Sequence, residues 1–155
     1  MVLQPLRKTI TVPCSQREAF NIFVHEMDSW WPMDQFTTTA FTGQTAQAIR
    51  VQAAVGGAII EVGPDDTEYT WGTIQTYRPP EFIRMEFHIP HPTEVVHDRS
   101  IVEVRFTALD EDQTHVKLTQ RNWEAFGQRA KDLYGGYGSG WDTILKTAFK
   151  TACTT

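Results

Sequence analysis

The stretch YGSGWDTILKTAFKTA, Tyr137–Ala152, decides how this chain is read. Tyr137, Trp141, Ile144, Leu145, Ala148 and Ala152 recur at helical spacing and form one apolar stripe, while Asp142, Lys146 and Lys150 fall elsewhere on the helix. A long helix with one oily face needs a surface to lie on, and the preceding residues supply it. Six β-prone runs follow one another: Ala46 to Ala53, Ala58 to Val62, Tyr69 to Tyr77, Phe82 to Ile89, Ser100 to Leu109 and Thr114 to Arg121. Val55-Gly56-Gly57, Gly63-Pro64-Asp65-Asp66, Arg78-Pro79-Pro80-Glu81 and Asp110-Glu111-Asp112-Gln113 are short enough to be hairpin turns between antiparallel neighbours. Three runs show a dry and a wet side: Ile83, Met85, Phe87 and Ile89 oppose Arg84, Glu86 and His88; Val102, Val104 and Phe106 oppose Glu103, Arg105 and Thr107; Val116 and Leu118 oppose His115 and Lys117.

Farther out, Leu6 to Val12 reads as one more half-buried strand, ended by Pro13. Ser15-Gln16-Arg17-Glu18 is a capping box that starts a helix carrying Ala19, Phe20, Phe23 and Val24, and Asp28 to Pro32 gives a second, short helical turn. On the other side of the six runs, Gly135-Gly136 is expected to break or bend whatever helix precedes the terminal one. The fold class is α+β. A strongly curved antiparallel sheet of about seven strands is wrapped around a long C-terminal helix, with two short helices after the first strand, and residues 1–155 form a single domain. A helix covers only part of such a concave face, so a cavity is expected beside it.

Composition sets the limits. A chain of 155 residues with 41% hydrophobic content and a net charge of −5 is long enough to hold a core without disulfide or metal. Cys14 and Cys153 have no paired spacing and read as two buried thiols, which suits a reducing, cytoplasmic location. The mild negative charge speaks against nucleic acid, and no apolar run is long enough for membrane insertion. Homodimerisation is left open.

Several landmarks also carry a resemblance. Val12-Pro13-Cys14-Ser15 leading to Ala19-Phe20, Trp30-Trp31-Pro32, Gly56-Gly57, Trp71-Gly72-Thr73-Ile74, Pro79-Pro80, Val102-Glu103-Val104-Arg105-Phe106, and Gly140-Trp141 with Leu145 resemble the START-like, or SRPBCC, superfamily. More narrowly they resemble its branch named after activators of a heat-shock-protein ATPase. The resemblance implies a helix-grip (Bet v I-like) fold with an interior pocket for an apolar or amphipathic small molecule. Some members of the superfamily cyclise polyketides and others transfer lipids.

Aromatics make up 12% of the chain and include five tryptophans, the side chains suited to an apolar pocket. Trp31, Trp71, Met85, Phe87, Phe106, Trp123, Tyr137 and Trp141 are the candidate ligand-binding residues, set against the plainer alternative that each fills the core. For Trp71 the strand parity is ambiguous, since either Trp71 or Gly72 can face the cavity. His88, His91 and His97, followed by Asp98, lack the spacing of a compact metal motif and read as solvated loop imidazoles. Gln120, Asn122 and Glu124 are the nearest polar groups able to orient a ligand, set against a wet strand end. The clear inward rows hold no charged residue, so no catalytic residue, metal or cofactor is expected. The leading reading is binding of a small apolar molecule under the terminal helix. A cyclase- or aromatase-type enzyme is the alternative, and a chaperone-interacting module is a third, resting only on the branch name.

Overall fold

The computed structural model describes residues 2–95 and 98–154, so His97 lies outside the described residues. The element order is β1 Leu6–Val12, α1 Gln16–His25, α2 Met27–Trp30, a 3-10 turn Thr39–Thr42, and then β2 Ala48–Val51, β3 Ala58–Val62 and β4 Glu68–Arg78. After these come β5 Phe82–Phe87, β6 Ser100–Ala108, β7 Thr114–Arg121, a 3-10 segment Trp123–Arg129 and the terminal helix. That helix is α3 Ala130–Thr143, a π-helical stretch Ile144–Phe149 and α4 Lys150–Ala152.

All seven strands join one antiparallel sheet in the order β1-β7-β6-β5-β4-β3-β2. β2 through β7 form the expected meander, and the chain's first strand closes onto its last, with Leu6 opposite Gln120 and Val12 opposite Thr114. The sheet does not close on itself, and it carries the terminal helix as a helix-grip fold does. The dry rows of β5, β6 and β7 are buried as their alternation requires: Ile83, Met85, Val102, Val104, Phe106, Val116 and Leu118 are each 2% exposed or less.

Local chemistry explains how the helices begin. Ser15 caps α1, its Oγ accepting from the Glu18 amide at 3.2 Å. The return arm of the box runs through the hydroxyl, which donates to Glu18 Oε1 at 3.0 Å. Contrary to expectation, α3 runs unbroken through Gly135, Gly136, Gly138 and Gly140. Gly140 has a packing reason to lack a side chain, because a Cβ there would lie 3.4 Å from the Phe36 ring.

The stripe on the terminal helix also differs from its regular projection. Trp141, Ile144 and Leu145 are buried as expected, but beyond them Phe149 and Cys153 are buried while Ala148 and Ala152 are only half-buried. The π-helical turn supplies the reason: its wider winding brings residues about four to five apart onto one face, so 141, 145, 149 and 153 share the sheet side. Cys153 thereby comes close to Cys14, and both are buried free thiols. Among the described residues no helix is long and apolar enough to cross a membrane.

Candidate functional site

A cavity of about 170 Å³ lies between one face of the terminal helix, the end of β5 and the loop that follows α2. Its floor is apolar and fixed, made by Phe87, Trp141 and Ile144, each 1–2% exposed. The helix contributes Leu133, Tyr137 and two residues without side chains, Gly136 and Gly140. Gln35, Phe41 and Asp132 form an exposed rim, with Phe36, Thr37 and Ile89 inside it. Phe41 stands 60% exposed, its ring 5.0 Å from the His91 ring.

Three of the eight residues singled out from the sequence, Phe87, Tyr137 and Trp141, therefore stand around this cavity. Trp31, Trp71, Met85, Phe106 and Trp123 are buried in the core and do not line it. Trp31 and Trp71 form the layer behind it: the Trp31 ring lies 5.2 Å from Trp71, 6.0 Å from Trp141 and 6.5 Å from Phe87. Phe106 packs against Phe20 and Phe23 of α1, away from the cavity. Trp123 packs against Phe126, Tyr134 and Tyr137.

The ambiguity at Trp71 and Gly72 resolves through bulges. β4 slips register against β3 between Ile59 and Ile60, and against β5 between Ile74 and Thr76. Trp71 and Ile74, three apart, can then both join the core, and Gly72 lies where a Cβ would fall 1.7 Å from the Glu86 carbonyl oxygen.

Two buried polar networks hold the walls. The first begins at Glu61 of β3, which is 0% exposed. Its Oε1 accepts from the Thr38 amide at 2.7 Å and from Trp71 Nε1 at 3.0 Å. Its Oε2 accepts from the Thr39 amide at 2.8 Å and the Thr39 hydroxyl at 2.5 Å. One carboxylate thus pins the loop that carries Phe36, Thr37 and Phe41 to the sheet. The sequence reading passed over Glu61, although it stands on the same pleat row as Ile59 within an apolar run.

The second network crosses under the terminal helix. Trp141 Nε1 donates to Gln120 Oε1 at 2.7 Å, Gln120 Nε2 donates to Ser100 Oγ at 2.8 Å, and Ser100 Oγ donates to the Phe87 carbonyl at 2.5 Å. Gln120 is 0% exposed, which corrects its reading as part of a wet strand end. Asn122 is half-buried and bonds the Arg99 carbonyl at 3.2 Å, while Glu124 is exposed.

His88 requires the largest correction. It is 2% exposed, because β5 ends at Phe87 and the pleat breaks there, leaving consecutive residues both buried. Its ring rests 4.9 Å from Phe126 in the segment leading to α3. Nδ1 meets the Tyr137 hydroxyl at 2.9 Å and Nε2 meets Glu94 Oε2 at 3.1 Å, which in turn takes Arg129 at 3.2 Å. Burial lowers the His88 pKa against the pull of Glu94, so the neutral imidazole is favoured. Burial works to raise the Glu94 pKa, but the His91 amide, His88 and Arg129 together bring it below the ordinary value. The Tyr137 phenol is pushed upward by burial. Among the described residues no cluster of His, Cys, Asp or Glu could hold a metal ion.

No protein-family model matches the chain, and no curated protein matches it. Solved structures do match in shape. A protein from Arthrobacter aurescens superposes with a TM-score of 0.70 at 12% identity, covering 99% of this chain and 91% of that one. CalC from Micromonospora echinospora, described as a self-sacrificing resistance protein, gives 0.68 at 22% identity over 96% and 93%. Txn09, described as an anthrahydroquino-γ-pyrone synthase, gives 0.61 at 23% identity over 88% of each chain. These likenesses show the fold, a helix grip.

Proposed function

We propose that this domain binds a small apolar molecule in the cavity beside the terminal helix, with Phe87, Tyr137 and Trp141 among its contacts. One observation carries the reading: a fixed aromatic floor opens through an exposed rim, and two glycines on the helix leave the space unfilled. The volume sets the class. An engineered cavity of about 150 Å³ with apolar walls holds benzene, and drug-sized ligands need about 300 Å³ or more. At about 170 Å³ the cavity suits a single substituted ring.

A second reading, an enzyme of the cyclase or aromatase type, is favoured by the hydrogen-bonded row Glu94, His88, Tyr137, of which Tyr137 lines the cavity. The description of Txn09 as a synthase supports it as well. The branch of heat-shock ATPase activators, and a chaperone partner with it, draws support from the sequence landmarks alone.

The test is thermal melting with p-xylene. Binding to the folded state alone raises Tm as the ligand concentration passes Kd. The wild type is expected to show this rise and Gly136→Leu to lose it while staying folded, because a Cβ at Gly136 meets nothing within 4 Å and the longer side chain fills the mouth. A wild type whose Tm ignores p-xylene ends the proposal. Native mass spectrometry of protein purified from its host then identifies the resident compound.

A further inference from the structure

Asp132, Gly136, Gly140 and Ile144 follow one another at four-residue steps, so they stand in one row along the terminal helix, and all four line the cavity. Glycine at the two middle positions removes the ridge that side chains would build there and leaves a trough. Its inner end is dry and apolar, closed by Ile144 beside Trp141, which are 2% and 1% exposed. Its outer end, about 12 Å along the axis from Gly140, is the exposed Asp132 in the first turn of α3.

Asp132 is the charged member of the lining, where the other polar residues, Gln35, Thr37 and Tyr137, are neutral. The Thr37 hydroxyl is engaged by the Met33 carbonyl and the Ala40 amide, and the Tyr137 hydroxyl by His88 and the Ile89 amide. The side chains of Asp132 and Gln35, by contrast, have no hydrogen bond or ion pair among the described residues. The cations nearest in sequence do not serve Asp132: Arg129 pairs with Glu94 at 3.2 Å, and Lys131 is exposed and not part of the lining. The cavity thus joins a dry aromatic seat to an unpaired carboxylate and an unpaired carboxamide at its wet mouth.

Resting on the cavity reading, we propose that the occupant is an arylalkylamine, its single ring seated against Phe87 and Trp141 and its short arm carrying an ammonium along the glycine trough toward Asp132. An ammonium offers three protons and no acceptor. The Asp132 carboxylate and the Gln35 carbonyl oxygen accept, and water takes what is left. Because the charge stays at an exposed rim it keeps part of its hydration, so the pair adds selectivity without the cost of burying an ion. An arene carboxylate of similar size meets a like charge at Asp132 and finds no cation in the lining.

The experiment is calorimetric titration of the intact protein at pH 7 with p-xylene, 4-methylbenzylamine and 4-methylbenzoate, three ligands built on one ring. The wild type is expected to bind the amine about tenfold more tightly than the acid, attraction and repulsion at an exposed site each contributing about threefold. Asp132→Asn is expected to weaken the amine about threefold relative to p-xylene, and Asp132→Lys to reverse the order of amine and acid. A role for Asp132 in helix stability alone would move the three ligands together and overturns the inference. Glu111→Gln removes a negative charge at the opposite end of β6 from Ser100, the partner of Phe87, and is expected to leave the ratios unchanged. An equal effect there assigns the preference to net charge and also overturns the inference. An unchanged amine to p-xylene ratio in Asp132→Asn does the same and leaves the cavity reading intact, whereas absence of p-xylene binding in the wild type overturns both.

Discussion

The indole N–H of Trp141 donates to Oε1 of Gln120 across 2.7 Å, joining the middle of the terminal helix to β7 through a contact shut off from water. Gln120 is itself held by Ser100, and Ser100 by the Phe87 carbonyl, so both aromatic residues of the cavity floor sit at the ends of one satisfied polar chain. Trp141→Ala is expected to cost on the order of 3 to 5 kcal/mol, the range for removing a buried large aromatic. Trp141→Phe keeps most of the ring volume but orphans Gln120 Oε1, for about 1–3 kcal/mol. Urea unfolding measures both, and a loss under about 1 kcal/mol for the alanine variant contradicts the anchoring role.

Glu61 is the corresponding pin for the opposite wall. Glu61→Gln replaces one accepting oxygen by an NH2 group that faces donors, either the Thr39 pair or Thr38 with Trp71. A destabilisation of roughly 2–4 kcal/mol is expected from donors left unpaired, and faster amide exchange at Thr38 and Thr39 localises it. Wild-type exchange rates at these two amides in the variant count against the pin.

The alternation of β5, β6 and β7 and the period of the terminal helix were legible because each rests on one rule, a face that meets oil and a face that meets water. What escaped were the places where that rule is broken. His88 follows the last regular residue of β5, so parity assigned it to solvent although a later segment covers it. Gln120 was placed by its nearness to a strand end, and Glu61 was passed over, while the partners that satisfy them come from other elements of the chain. Phe149 was missed because a π-turn changes the helical period, and the sequence offers no local mark of that turn. The cavity residues divided for a similar reason: being aromatic and inward was readable, but which inward aromatics border an empty space depends on Gly136 and Gly140.

Protonation gives a further check. An unfolded histidine takes its proton near pH 6.5, whereas buried His88 resists it to lower pH, so in that window the unfolded state binds more protons and stability falls as pH drops below 6.5. Glu94, whose folded pKa is below its ordinary 4.5, adds a second loss as pH falls through that value. Unfolding free energy measured at stepped pH is expected to show the first limb in the wild type and to show it flattened in His88→Gln. An equally steep limb in the variant contradicts the assignment.

The glycines separate by what surrounds them. Gly135 lies inside α3 with nothing within 4 Å of an added Cβ, so Gly135→Ala is expected to stabilise by ~1 kcal/mol. Gly72→Ala drives its Cβ into the Glu86 carbonyl and is expected to abolish folding or shift Tm sharply downward. Melting curves of the two variants moving in the same direction contradict this account.

The thiols offer a chemical probe. Cys14 and Cys153 are 7% and 3% exposed, and burial raises both pKa values above the ordinary 9.0. Iodoacetamide is expected to label neither at pH 8 in the native state and both after urea is added. Fast native labelling shows that the end of the terminal helix is not seated.

The pairing of the first strand with the last also bears on how the chain is made. Leu6–Val12 is made before the other six strands, yet the neighbour it pairs with in the sheet, Thr114–Arg121, is synthesised after all of them. The nascent chain must therefore carry an unpaired β-segment until the other strands have been made, and completing the sheet requires closure of a very long loop, the kind of contact that slows folding. A product lacking that segment would leave β7 as a bare edge, open to pairing with another copy.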